Sequence, residues 1–86
     1  MENLFIQSFM DDNGKTFLEV GIGEKFTSVP SEFNVCSNGT CVITITSKEL
    51  LKLSKNWGVT EPEIKTALQN QFRLFGDTSL LFFIKE

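Results

Sequence analysis

Twice in this chain an Asn-Gly dipeptide interrupts residues that favour strands. "LFIQSFM" and "TFLEVGI" flank Asn13-Gly14, and "NVC" and "CVITIT" flank Asn38-Gly39. A type I′ turn needs positive φ at both central positions, and Asn-Gly is the pair that tolerates this best, so each dipeptide predicts a β-hairpin. A two-residue loop at the first sets Phe9 opposite Leu18 and Phe5 opposite Ile22. At the second it sets Ser37 opposite Thr40, Cys36 opposite Cys41 and Val35 opposite Val42. Strand alternation then gives Cys41, Ile43 and Ile45 one face and Val42, Thr44 and Thr46 the other. The linking stretch "GIGEKFTSVPSEF" is less regular. Gly21 and Gly23 suggest a bulge or strand end, Pro30 opposes a central strand position, and "KFTSV" reads as a short edge strand.

The second half of the chain changes period. Thr46 to Glu49 and Thr60 to Glu63 are two capping-box patterns. After the first, Leu50, Leu53 and Trp57 form an apolar stripe opposite Lys48, Lys52 and Lys55, and Gly58 suits the residue just past a helix end. After the second, Pro62 is tolerated in the first turn, and Ile64, Leu68, Phe72 and Phe75 recur at helical spacing with Ala67 and Leu74 at the edge. Lys65, Thr66, Gln69 and Arg73 fall on the opposite side, and Gly76-Asp77 closes the helix. "TSLLFFIKE" is a continuous apolar run, which predicts a strand buried on both faces or central in its sheet. The fold class expected is therefore α+β: a mostly antiparallel sheet of four to five strands, two hairpins plus a C-terminal strand, with an α-helical hairpin on one face.

The 86 residues suit a single small globular domain spanning 1–86. The longest apolar run, "LLFFI", is too short to cross a bilayer, so no membrane association is expected. The N-terminus lacks a basic segment followed by an apolar one, so no signal peptide and a cytoplasmic location are expected. The net charge of −3 is too weak for a nucleic-acid mimic and gives no general support for nucleic-acid binding. Its distribution is uneven. Residues 1–45 carry two lysines against six acids, whereas residues 46–86 carry six basic side chains against five acids, mostly on the expected helices. The nine Phe residues read as core.

Several chemistries are excluded or unsupported. Without His the chain has no imidazole base, shuttle or metal ligand. Cys36 and Cys41, directly opposed across a tight hairpin, are a candidate redox pair, although the preferred reading is two reduced thiols packed as small apolar residues. Their spacing is not Cys-x-x-Cys, and two Cys do not complete a four-ligand zinc site. "DDNGKT" lacks the acidic first and last positions of a calcium loop, where Phe9 and Val20 stand, and "GIGEKF" lacks the Lys-Ser/Thr of a phosphate loop. Glu61 and Glu63 have a structural reason to open a helix, since the macrodipole favours carboxylates there. No cofactor, metal or catalytic set is expected, and the protein reads as not an enzyme.

The segment "LLKLSKNWGVTEPEIKTAL", within residues 47–75, resembles the helix-turn-helix of phage repressors and related regulators. Ser54 stands at its small-residue position, Gly58 at its turn glycine and Val59 at the buried residue that follows, with Ile64 and Leu68 pointing inward. The resemblance implies that Thr60, Glu61, Lys65, Thr66 and Gln69 face DNA.

Two expectations follow. The first is a non-enzymatic protein-binding module of regulator or inhibitor type, from a phage or mobile element. Its partner would use the helix face formed by Lys48, Lys52, Lys55, Lys65, Thr66, Gln69 and Arg73, or an edge strand, the N-terminal one or "KFTSV", that would also join two copies as a homodimer. The alternative is a DNA-binding regulator using the helix-turn-helix-like segment.

Overall fold

A computed structural model of the protein describes residues 3–36, 38–73 and 79–86. It is α+β. Strands β1 (Leu4–Met10), β2 (Thr16–Ile22), β3 (Lys25–Val35) and β4 (Cys41–Thr46) precede helices α1 (Ser47–Trp57) and α2 (Glu61–Arg73) and strand β5 (Leu80–Lys85). The five strands form one sheet in chain order, antiparallel from β1 to β4 and parallel between β4 and β5. Both helices pack against the same face. Leu53, Ile64 and Leu68 meet Leu18, Val20, Val29, Ile43 and Ile45 there, with Leu80 and Phe82 of β5 completing the core.

The predicted caps of α1 and the predicted N-terminal cap of α2 are present. Thr46 caps α1, its Oγ1 accepting from the Glu49 N–H at 3.2 Å. Gly58 closes α1 at φ 67°, donating its N–H to the Ser54 carbonyl. At α2 the capping box is reciprocal: Thr60 Oγ1 accepts from the Glu63 N–H, and Glu63 Oε1 accepts from the Thr60 N–H. Such a cap is worth about 1 kcal/mol. The Trp57 Nε1–H donates to Thr27 Oγ1 at 2.9 Å, which fastens the end of α1 to β3. The stripe positions Leu74 and Phe75, the closing Gly76-Asp77 and the strand start at Thr78 lie outside the described residues.

Both Asn-Gly hairpins are shifted by one residue from the expected register. In the first, the Asp11 N–H donates to the Lys15 carbonyl and the Gly14 N–H to the Asp11 carbonyl, while Asp11 Oδ1 accepts from the N–H groups of Asn13 and Lys15. The Asp11 carboxylate thus stabilises a turn with three loop residues, in which Gly14 alone takes positive φ, at 81°. Phe9 consequently opposes Phe17, not Leu18, and Phe5 opposes Gly21, not Ile22. The second hairpin closes the same way. The Cys36 N–H donates to Thr40, and Val35 opposes Cys41. The Asn38 side chain accepts from the Thr40 N–H at 3.0 Å. Cys36 and Cys41 are therefore not a cross-strand pair. Ser37, expected opposite Thr40, lies outside the described residues.

Two strand expectations are also corrected. "KFTSV" is not an edge: it opens the 11-residue β3, which pairs with β2 through Ser31 and with β4 from Glu32 onward. The link to β2 is a hairpin over Gly23-Glu24, with positive φ (61°) at Gly23 alone, as a type II′ turn requires. Counting from that loop, Phe17 and Pro30 are a pair that exchanges no backbone hydrogen bonds. Pro30 therefore removes no bond to β2, and β4 has not yet begun to pair with β3 on the other side. The C-terminal strand is not central. β5 is an edge, with Leu80 and Phe82 buried under the helices and Leu81 and Phe83 exposed on the opposite face.

Candidate interaction face

The registers decide which side chains share the face that no helix covers. From β1 and β2 it receives Phe5, Gln7, Phe9, Phe17, Glu19 and Gly21; from β3, Phe26, Ser28, Pro30, Glu32 and Asn34. From β4 and β5 it receives Val42, Thr44, Thr46, Leu81, Phe83 and Lys85. Phe9 and Phe17 stack with their ring centroids 5.4 Å apart. Phe26 and Phe83 are 55% and 52% exposed and Leu81 43%, so the face presents apolar surface to solvent at both ends. Gly21 has a defined role: a Cβ there would run into the Lys25 carbonyl oxygen and lie 2.6 Å from the Phe26 Cβ, so the missing side chain lets the β3 backbone approach closely.

The polar groups on this face are few. The Gln7 amide donates to Glu19 Oε1 at 2.9 Å. Glu19, Glu32 and Lys85 are its charged side chains, giving an excess of carboxylate. The reading of all Phe as core is thus overturned. Of the described Phe residues, Phe82 alone is buried, Phe33 and Phe72 stack beneath the helix layer with centroids 5.8 Å apart, and the rest line the open face.

The residues singled out from the sequence lie elsewhere. Lys48, Lys52 and Lys55 are exposed on α1, and Lys65, Thr66 and Arg73 on α2, while Gln69 is half-buried. The helix-turn-helix-like segment has its expected inward residues, since Val59, Ile64 and Leu68 are buried, and the Ser54 hydroxyl donates to the Val59 carbonyl at 2.7 Å across the turn. Thr60 and Glu63 are engaged in the α2 cap. Cys36 is exposed, Cys41 is buried, and both are free thiols at register positions on opposite faces.

A notch of about 130 Å³ opens where β3 and β4 diverge, lined by Pro30, Ser31, Glu32, Thr44, Ile45, Thr46, Glu49 and Lys85. Ser31 Oγ and Glu49 Oε2 are buried beside it without a hydrogen-bond partner. Among the described residues no three of His, Cys, Asp and Glu come together as a metal site, and no helix is long and apolar enough to cross a membrane.

Compared with protein-family models, curated proteins and solved structures, the chain matches none. Sequence reasoning missed the open face because a face is defined by register, and a one-residue change in either Asn-Gly turn moves every side chain of a strand to the other side. The signal that could have found it is Asp11, whose carboxylate favours the longer turn.

Proposed function

We propose that the protein is a non-enzymatic protein-binding module, of regulator or inhibitor type, whose partner docks on the helix-free face of the sheet. The observation that supports this is the exposure of Phe26, Leu81 and Phe83 on the same face as Phe5, Phe9 and Phe17. An antiparallel sheet with one solvated face ordinarily places polar residues there. Several large apolar side chains exposed on one solvated face mark a candidate interaction site. Aromatic side chains supply much of the affinity of protein interfaces because they bury large area at low entropic cost.

The charges indicate the partner's chemistry. Glu19 and Glu32 fit an apolar protein surface bordered by lysine or arginine. They oppose nucleic acid, which would require cations among the rings, where Lys85 is the single basic side chain. Capture from native lysate, with and without nuclease, tests the proposal with three baits: wild type, Phe26→Ser/Phe83→Ser and Lys52→Ala/Lys65→Ala/Arg73→Ala. A protein prey that survives nuclease, is lost with the Phe variant and is kept by the helix variant supports it. Prey lost only with the helix variant returns the interaction to the helix face, and nucleic acid lost with that variant favours the DNA-binding alternative.

A further inference from the structure

The two edges of the sheet are treated differently. At β1, Gln71 of α2 acts as a sixth strand: its Oε1 accepts from the Ser8 N–H and its Nε2 donates to the Ser8 carbonyl, both at 2.8 Å. β5 has no equivalent among the described residues. The Cys41 N–H donates to the Ser79 carbonyl, which fixes the phase of the parallel ladder. Residues 79, 81, 83 and 85 turn their backbone groups toward β4, and Leu80, Phe82 and Ile84 turn theirs outward. Edges of this kind are usually blunted by proline, an internal charge or a bulge. The run from Leu80 to Ile84 contains neither proline nor charge, and it pairs with β4 without a bulge.

We infer that β5 pairs antiparallel with β5 of a second copy, about a two-fold axis at Phe82. In that register Phe82 faces its own counterpart and Leu80 faces Ile84, so every outward N–H and carbonyl of the three residues meets a partner. Leu81 lies across from Phe83 on the open face in both halves. Lys85 lies across from Ser79, so no like charges meet. The geometry is self-complementary, as a two-fold interface requires, and it selects a second copy over an unrelated strand. The paired strands are short, which sets the interface at the small, weak end of protein contacts, so the dimer dissociates on dilution. It stands independently of the partner proposed above, and it joins two open faces into one.

Light scattering and sedimentation across concentration test this, together with amide hydrogen exchange followed by NMR. Concentrated protein should approach twice the 9.7 kDa chain mass. The amides of Leu80, Phe82 and Ile84 should then exchange about tenfold more slowly than in dilute protein, while those of Leu81 and Phe83, bonded to β4, stay protected throughout. Leu81→Lys/Phe83→Lys sets four lysines across the seam and should give a monomer with an unchanged circular dichroism spectrum. Phe26→Ser, on the same face but away from the seam, should still dimerise. A wild-type monomer at the highest concentration overturns the inference. So does a dimer that Phe26→Ser abolishes, or one in which the three outward amides remain unprotected.

Discussion

The two faces of this one sheet are made of different material. The covered face is mostly aliphatic: Leu18, Val20, Val29, Ile43 and Ile45 are at most 2% exposed. The open face holds Phe5, Phe9, Phe17, Phe26 and Phe83, from four of the five strands. Branched aliphatic side chains interlock with the ridges of a helix, whereas flat rings retain contact area without anything locking over them. The difference separates surface that stabilises the fold from surface available to another molecule, and hydropathy alone does not distinguish them.

Substitutions on the two faces should therefore have unequal effects. Ile43→Ala or Leu18→Ala, each at a site with no exposure, should cost about 2–5 kcal/mol in urea unfolding. Gly21→Ala should cost about 1–3 kcal/mol, because the new methyl group meets the Lys25 carbonyl and the Phe26 Cβ and the strand must shift. That loss should persist in Gly21→Ala/Phe26→Ala, because the Lys25 carbonyl and the Cα and Cβ of residue 26 all remain. Gln71→Ala, which removes both bonds to Ser8, should cost about 1–2 kcal/mol and speed exchange of the Ser8 amide. Phe83→Ser should change stability by less than about 1 kcal/mol. If it costs as much as Ile43→Ala, the open face is part of the core and the contrast fails.

The sequence made the helical half of the molecule legible and left the open face obscure. Both capping boxes, the αL glycine after α1 and the described parts of the apolar stripes, through Trp57 and Phe72, depend on residues within a turn or two of each other. Strand faces depend on loop length. The Asn-Gly rule located both hairpins, but a neighbouring side chain, Asp11 in the first, supports a loop one residue longer. β5 shows another limit. An unbroken apolar run is equally consistent with a strand covered on both faces and with an edge strand that has one face bare. Only the topology, with α1 and α2 forming the crossover from β4 to β5, distinguishes them. The basic side chains on the helices were legible as a surface, and the aromatic ones on the strands were not.

The Gln71 clamp also bears on the order of events in folding. Ser8 and Gln71 are 63 positions apart. The first hairpin can zip from its own turn, yet its outer side has no answering group until α2 docks. A chain in which α2 has not yet docked thus carries an open, aromatic hairpin, and such intermediates are prone to stick to one another. Closure by Gln71 couples the docking of α2 to the silencing of the β1 edge.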